Sequence, residues 1–332
     1  MIRGLELRRG TKGPVLVLDD GRQLTLDSDE ESIVACVSHA HMDHLSGMSS
    51  GVALMTEETR LIFSARGARY RNHMPLQLGG SVRLLGGDVT FSARSSGHML
   101  GSAVFSVDLD GLRLTYTGDM NTYPSVLHDP AEVVSGTDVL VIESTYGSPV
   151  YRFAEREQVY ASIVGWIRRV LEEGKVPAFE VYAAGKAQEV IALVNTSLEV
   201  PVVVSRAVGR VAEVYRRTYP WLDFVVEGTR EAGEVVRGGG FVYVSNRRAP
   251  TAWRSEWAVA TGWALTRTFP GYDAAFPLSS HADFHGLLEY VRSTEPKLVV
   301  TVYGHSATFA RFLNRTGVKA ISLDEKPLIR MI

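Results

Sequence analysis

One cysteine, few lysines and no apolar run of membrane-spanning length mark what this 332-residue chain does without. The single thiol, Cys36, excludes an internal disulfide framework and fits a reducing compartment. No apolar stretch approaches the roughly 18 residues that cross a bilayer, and the start, MIRGLELRRG, lacks the apolar core of a signal peptide. The expectation is a cytoplasmic protein. The net charge is −2, so no basic excess advertises nucleic acid, and any anion site must be local. Lysine is scarce against arginine, which heat adaptation and genomic base composition explain equally well. No low-complexity linker separates parts of the chain. What remains is ordinary globular composition, 45% hydrophobic, with length for one large or two medium domains.

Two segments follow one plan. PVLVLDDGRQLTLDS (14–28) alternates apolar residues, turns at Asp20-Gly21, alternates again and ends at Asp27. AVFSVDLDGLRLTYTGD (103–119) does the same around Asp110-Gly111 and ends at Asp119. Asp-Gly between alternating runs is a strong hairpin signal. SIVACVSH reads as a short strand with HMDHLSG as the loop after it, and TEETRLIFSARGARY as a Thr-capped helix. TDVLVIESTYG is a buried strand with Glu143 at its C-terminal edge. The middle of the chain repeats strand then helix, from AEREQVYASIVGWIRRVLEEG through KVPAFEVYAAGKAQEVIALVNTS to VPVVVSRAVGRVAEVYRRTY. Such units predict a parallel sheet. GGGFVYVSN and EWAVATGWAL add strands. A helix in SSHADFHGLLEYVRST, the strand KLVVTVYGH and a last helix, ATFARFLNRTG, complete the pattern.

Seven of the nine histidines, 39, 41, 44, 98, 281, 285 and 305, sit at the ends of predicted strands or in the loops just after them; His73 and His128 do not. VSHAHMDHLSG packs His39, His41, Asp43 and His44 into six positions. Neutral imidazole and carboxylate suit zinc and similar divalent ions. In this run His39 and His41 can face one side of the loop, Asp43 and His44 the other, so it can serve two adjacent ions. Asp119, after TYTG, is short enough to bridge them, and His98 in SSGHMLGS can complete the first.

At these residues the sequence resembles the metallo-β-lactamase superfamily: SHAHMDH looks like its signature loop, and SSGHMLGSA and YTGDMN like its next two metal motifs. IESTYG, AAGKAQEVIAL, PLSSHADFHGLLEYV and VVTVYGHS resemble one branch, the β-CASP nucleases of RNA-processing type. The resemblance implies an α/β fold, a four-layered αββα sandwich over residues 1–147 and 270–332 with an inserted β-CASP domain over 148–269. It also implies two Zn2+, one on His39, His41 and His98, the other on Asp43, His44 and His305, with Asp119 shared and Asp27 supporting the loop from behind.

By the same resemblance, catalysis involves Asp119, His281 and Glu143. A hydroxide between the ions attacks phosphorus, and His281, oriented by Glu143, protonates a leaving 3′-oxygen and leaves a 5′-phosphate. The implied partner is single-stranded nucleic acid, RNA ahead of DNA, in 3′-end processing or 5′-exonuclease fashion. Lys186, at a helix start, and Ser280 and Ser306, beside histidines, are candidate substrate contacts. No membrane partner is expected, and a homodimer is left open. Rival readings are a DNA exonuclease of the repair or ligase-associated kind, a small-molecule metallo-hydrolase, and a non-catalytic subunit.

Overall fold

Alternating burial starts the first sheet: along β1 (Leu5–Arg9), Leu5 and Leu7 face inward while Arg9 is exposed. The computed structural model describes residues 5–109 and 111–331. β2 (Pro14–Val17) and β3 (Gln23–Leu26) form an antiparallel hairpin whose turn is closed by Leu18 N–H donating to the Arg22 carbonyl at 2.9 Å. β4 (Val34–Cys36) and β5 (Val52–Met55) then run parallel to β3. The helix α1 (Glu57–Ala65), capped by the Thr56 side chain, precedes β6 (His73–Pro75). So His73 begins a short strand.

The second sheet opens as an antiparallel meander, β7 (Ser81–Leu84), β8 (Val89–Ser95), β9 (Ala103–Leu109) and β10 (Leu112–Tyr116). Leu109 pairs with Leu112 across the Asp110-Gly111 turn, of which Asp110 lies outside the described residues. β11 (Val139–Glu143) runs parallel to β10.

The middle of the chain folds as a separate βα body. It comprises α2 (Arg156–Glu172), β12 (Val176–Glu180), α3 (Lys186–Ser197), β13 (Val202–Val204), α4 (Arg206–Thr218), β14 (Val225–Val226), α5 (Arg230–Gly238), β15 (Val242–Ser245), β16 (Ser255–Ala260) and β17 (Ala274–Phe276). Its six strands are all parallel, in the order β14-β13-β15-β12-β16-β17. After it come α6 (Phe284–Thr294), β18 (Leu298–Val302), α7 (Ser306–Arg315), β19 (Ala320–Ser322) and β20 (Leu328–Met331). β18 and β19 extend the second sheet beyond β11, and β20 pairs antiparallel with β1 to edge the first.

The chain thus divides into a first unit, up to Tyr123, Asp129–Arg152 and from His281 on, and a second, Pro124–His128 and Phe153–Ser280. The sequence reading put 270–280 with the terminal parts. The structure puts it with the second unit because β17 pairs with β16. In the first unit one apolar cluster draws on both seven-stranded sheets, including Leu7, Leu16 and Leu24 from one and Phe91, Phe105 and Tyr116 from the other. β11 is buried on both faces. Val139 and Val141 enter that cluster, while Leu140 and Ile142 pack with Phe284, Leu287 and Phe309 of the covering helices. This explains its uninterrupted apolar run. Among the described residues no helix is long and apolar enough to cross a membrane.

Candidate metal centre

Strand ends bring five of the predicted ligands, His39, His41, His44, His98 and Asp119, together in the first unit. His39, His41 and His44 follow β4, His98 follows β8, and Asp119 follows β10. Gly118 takes φ of 53°, and a Cβ there would lie 2.4 Å from Ser38 Cβ and Oγ. The two loops therefore meet as closely as backbone allows. The His39 loop is tied down at three carbonyls: Arg66 donates to Ala40 O at 2.9 Å, Tyr70 to Ser46 O at 2.7 Å and Lys12 to Leu45 O at 2.7 Å.

Asp119 Oδ2 is ringed by four imidazole Nε2 atoms: His39 at 3.4 Å, His44 at 3.6 Å, His281 at 3.7 Å and His98 at 3.8 Å. His41 Nδ1 closes the group, 3.1 Å from His39 Nε2 and 3.2 Å from His98 Nε2. Hydrogen-bond partners fix two of the tautomers. Ser38 Oγ donates its one proton to Asp27 Oδ2, so it accepts from His39 Nδ1, and His39 Nε2 carries a lone pair. His44 Nδ1 donates to Asp27 Oδ2 at 2.9 Å, which turns Nε2 of this ring towards Asp119. Ring nitrogens and a carboxylate oxygen thus face one another at 3.1–3.8 Å. Two ligands each about 2.0–2.1 Å from a tetrahedral zinc stand roughly 3.4 Å apart. The donor set fits a shared cation.

Electrostatics agree for His39, whereas His44 must shed a proton to take a cation. Burial and the neighbouring imidazoles hold His39 neutral, the form that ligates metal. Burial pushes the Asp119 carboxyl up to about 6 although His44 and His281 pull the other way. Burial lowers His44, but Asp119, Asp27 and Asp43 outweigh it and carry the ring up to about 10. His281 rises to about 9, its burial overcome by Glu143 and Asp119.

Three groups of convergent ligand atoms occur among the described residues: His39, His41, His98 and Asp119; Asp27, His39 and His44; and Asp119, Glu143 and His281. The first matches one predicted half-site. The second half-site is only partly assembled. His44 and Asp119 are in place, but Asp43 is exposed on the short turn Met42–His44, and the ring of His305 packs on Tyr151 at 5.2 Å. Both lie outside the three groups. The carboxylate of Asp27 is already engaged by Ser38 N–H, Ser38 Oγ, His44 and Tyr116. It orients the loop and its ligands.

His281 presents Nδ1 to both Glu143 oxygens, at 2.9 and 3.1 Å. Glu143 is fully buried and also accepts from Met120 N–H at 2.8 Å and Thr145 N–H at 3.3 Å. With 21% of its side chain exposed, His281 is the most open of the four histidines around Asp119.

The serines and lysine predicted to touch substrate are placed otherwise. Lys186 is 6% exposed and its ammonium is held 2.7 Å from Glu189, which also takes Arg156 and the Tyr160 hydroxyl. Buried and ion-paired, it offers no cation to solvent. Ser306 is buried and its Oγ donates to Asp324 at 2.5 Å, with Ser322 Oγ at 3.0 Å. Ser280 is half-buried at the end of the second unit. The sequence reading missed Ser38, Arg66, Tyr116 and Tyr303. Three of these stood inside quoted metal motifs, Ser38 directly before His39, Tyr116 three residues before Asp119 and Tyr303 two before His305.

No family model matches the chain. It is 29% identical over 87% of its length to a probable DNA ligase of Opitutus terrae, of which it covers 28%. It is 32% identical over 41% of its length to an RNase J-like protein of Methanocaldococcus jannaschii, covering 34% of that protein. Over 32% of its length it is 34% identical to cleavage and polyadenylation specificity factor 73 of Drosophila melanogaster, covering 16%. The chain spans about a third or less of these relatives. A protein of unknown function from Enterococcus faecalis shares the fold, at TM-score 0.67 over 99% of this chain and 100% of that one, with 12% identity. Motifs, site geometry and these likenesses together make the chain similar to the β-CASP nucleases of the metallo-β-lactamase superfamily.

Proposed function

We propose that the chain is a zinc-dependent phosphodiesterase that cleaves single-stranded nucleic acid. The observation that carries this is one carboxylate oxygen, Asp119 Oδ2, surrounded by four imidazole nitrogens at 3.4–3.8 Å. Two ions would be held, one by His39, His41 and His98, the other by Asp43, His44 and His305, with Asp119 common to both. When bound, they neutralise phosphodiester charge and lower the pKa of water. Asp27 and Ser38 keep His44 and His39 in the ligating tautomer. Glu143 fixes the His281 ring through Nδ1 and leaves Nε2 to hold the proton delivered to a leaving 3′-oxygen, so the new end carries a 5′-phosphate. In architecture the first unit would be the four-layered αββα sandwich and the second the inserted β-CASP domain.

RNA as substrate is supported by the RNase J-like and cleavage-factor relatives, matched over a third to two-fifths of the chain. DNA is the second reading, favoured because the relative matched over 87% of the chain is a probable DNA ligase. Purified protein incubated with end-labelled single-stranded RNA and DNA, with and without zinc, separates them. His281→Ala should lose cleavage and keep zinc. Loss of zinc from that variant would overturn the role given to His281, and no cleavage of either strand by the zinc-loaded wild type would overturn the function.

A further inference from the structure

A chain of hydroxyls runs from the turn after β18 to the metal loop. Tyr116, fully buried, donates its only proton to Asp27 Oδ2 at 2.8 Å. Its oxygen therefore accepts from Tyr303, whose hydroxyl lies 2.8 Å away. Asp27 Oδ2 receives His44 Nδ1–H from the other side, and His44 Nε2 looks at Asp119. The order is Tyr303 to Tyr116 to Asp27, with His44 on the far side of the carboxylate. The Tyr303 ring also packs edge-on against the His44 ring at 5.5 Å.

The backbone at the far end is held in an unusual state. Tyr303 takes φ of 62° and Gly304 of 51°, two successive left-handed residues between β18 and His305. A side chain costs about 1 kcal/mol or more in that region. A Cβ on Gly304 would lie 2.5 Å from Thr145 Cα. His305 N–H is bonded to Ser144 O at 2.7 Å. The turn thus aims Tyr303 at Tyr116 and is fastened beside Glu143.

We propose that Tyr116 and Tyr303 are positioning residues for the metal centre. Through Asp27 they fix the rotamer and tautomer of His44, and they tie the turn before His305 to the loop that carries His39, His41 and His44. This rests on the metal-centre reading above. Hydrogen bonds behind a ligand commonly change metal affinity 10–100-fold. Tyr303 reaches Asp27 only through Tyr116, so its effect passes through Tyr116.

The test is a zinc competition titration on Tyr116→Phe, Tyr303→Phe and the double variant, beside the Co2+ absorption spectrum of each. These replacements remove one oxygen and keep the ring, so the melting transition should remain cooperative. Tyr116→Phe should weaken zinc about tenfold or more and shift the Co2+ bands. Tyr303→Phe should weaken it less, and the double variant should match Tyr116→Phe. Equal zinc affinity and spectra in all four proteins would overturn the proposal and leave the metal centre standing, as would additive losses in the double variant. A wild type that binds neither ion would sink both. If Tyr116→Phe fails to fold, Tyr303→Phe alone decides: unaltered affinity and spectrum refute the relay.

Discussion

Replacing Glu189 with glutamine should destabilise the second unit by about 3 kcal/mol at neutral pH. Glu189 is 5% exposed and holds Lys186, Arg156 and the Tyr160 hydroxyl. Burial raises its carboxyl, but the two cations outweigh burial and hold it at about 2 against an ordinary 4.5. By linkage that difference is worth about 3 kcal/mol of stability above pH 5. Because the folded value is depressed, the contribution is present above the unfolded pKa and fades as pH falls from about 4.5 to about 2. A second route agrees: removing one partner of a buried ion pair typically costs about 3–5 kcal/mol. All five tryptophans, at 166, 221, 253, 257 and 263, lie in the second unit, so their fluorescence reports its unfolding alone. Urea titrations followed by that signal at pH 7 and pH 3 should show a large wild-type loss on acidification and a smaller one in Glu189→Gln. Equal stabilities of the two proteins at pH 7, with the same acid dependence, would refute the account of this cluster.

Other perturbations address the first unit. Gly118→Ala places a Cβ 2.4 Å from Ser38, and should lower stability by about 2 kcal/mol and reduce zinc capacity in elemental analysis; an unchanged melting temperature would contradict the close contact. Ser306→Ala removes a buried hydroxyl bound to Asp324, and should cost about 1 kcal/mol while leaving KM for nucleic acid unaltered; a raised KM would restore it as a substrate contact. Chelating the metal should lower the calorimetric transition that tryptophan does not report, by about 2.7 kcal/mol for zinc supplied at 100 times Kd; chelation that moved only the tryptophan transition would place the metal in the second unit.

How much of this was legible in advance can be argued element by element. Hairpins were readable because Asp-Gly and strict alternation are local signals, and β2–β3 and β9–β10 form where those signals stand. The repeated βα pattern foretold a parallel sheet, and β12 to β17 are parallel throughout. β17 and β20 were not read. Three- and four-residue strands carry too little periodicity, and what makes them strands is pairing with β16 and with β1 across the fold. Lys186 illustrates the opposite failure. Its place at a helix start suggested an anion site, yet Glu189, one helical turn on, faces it in a buried pocket where Arg156 also converges.

By itself the sequence determined the chemistry available: histidines and aspartates placed just after strands, at spacings that converge only if the ends of strands from two sheets meet. Ligand identity is a property of residue type, and it survives translation into any fold that gathers those ends. Which nitrogen carries the proton was decided by tertiary structure alone. That choice belongs to Ser38, Asp27, Tyr116 and Tyr303, drawn from four separate stretches of chain, and a hydrogen-bond direction exists only once its partners have met.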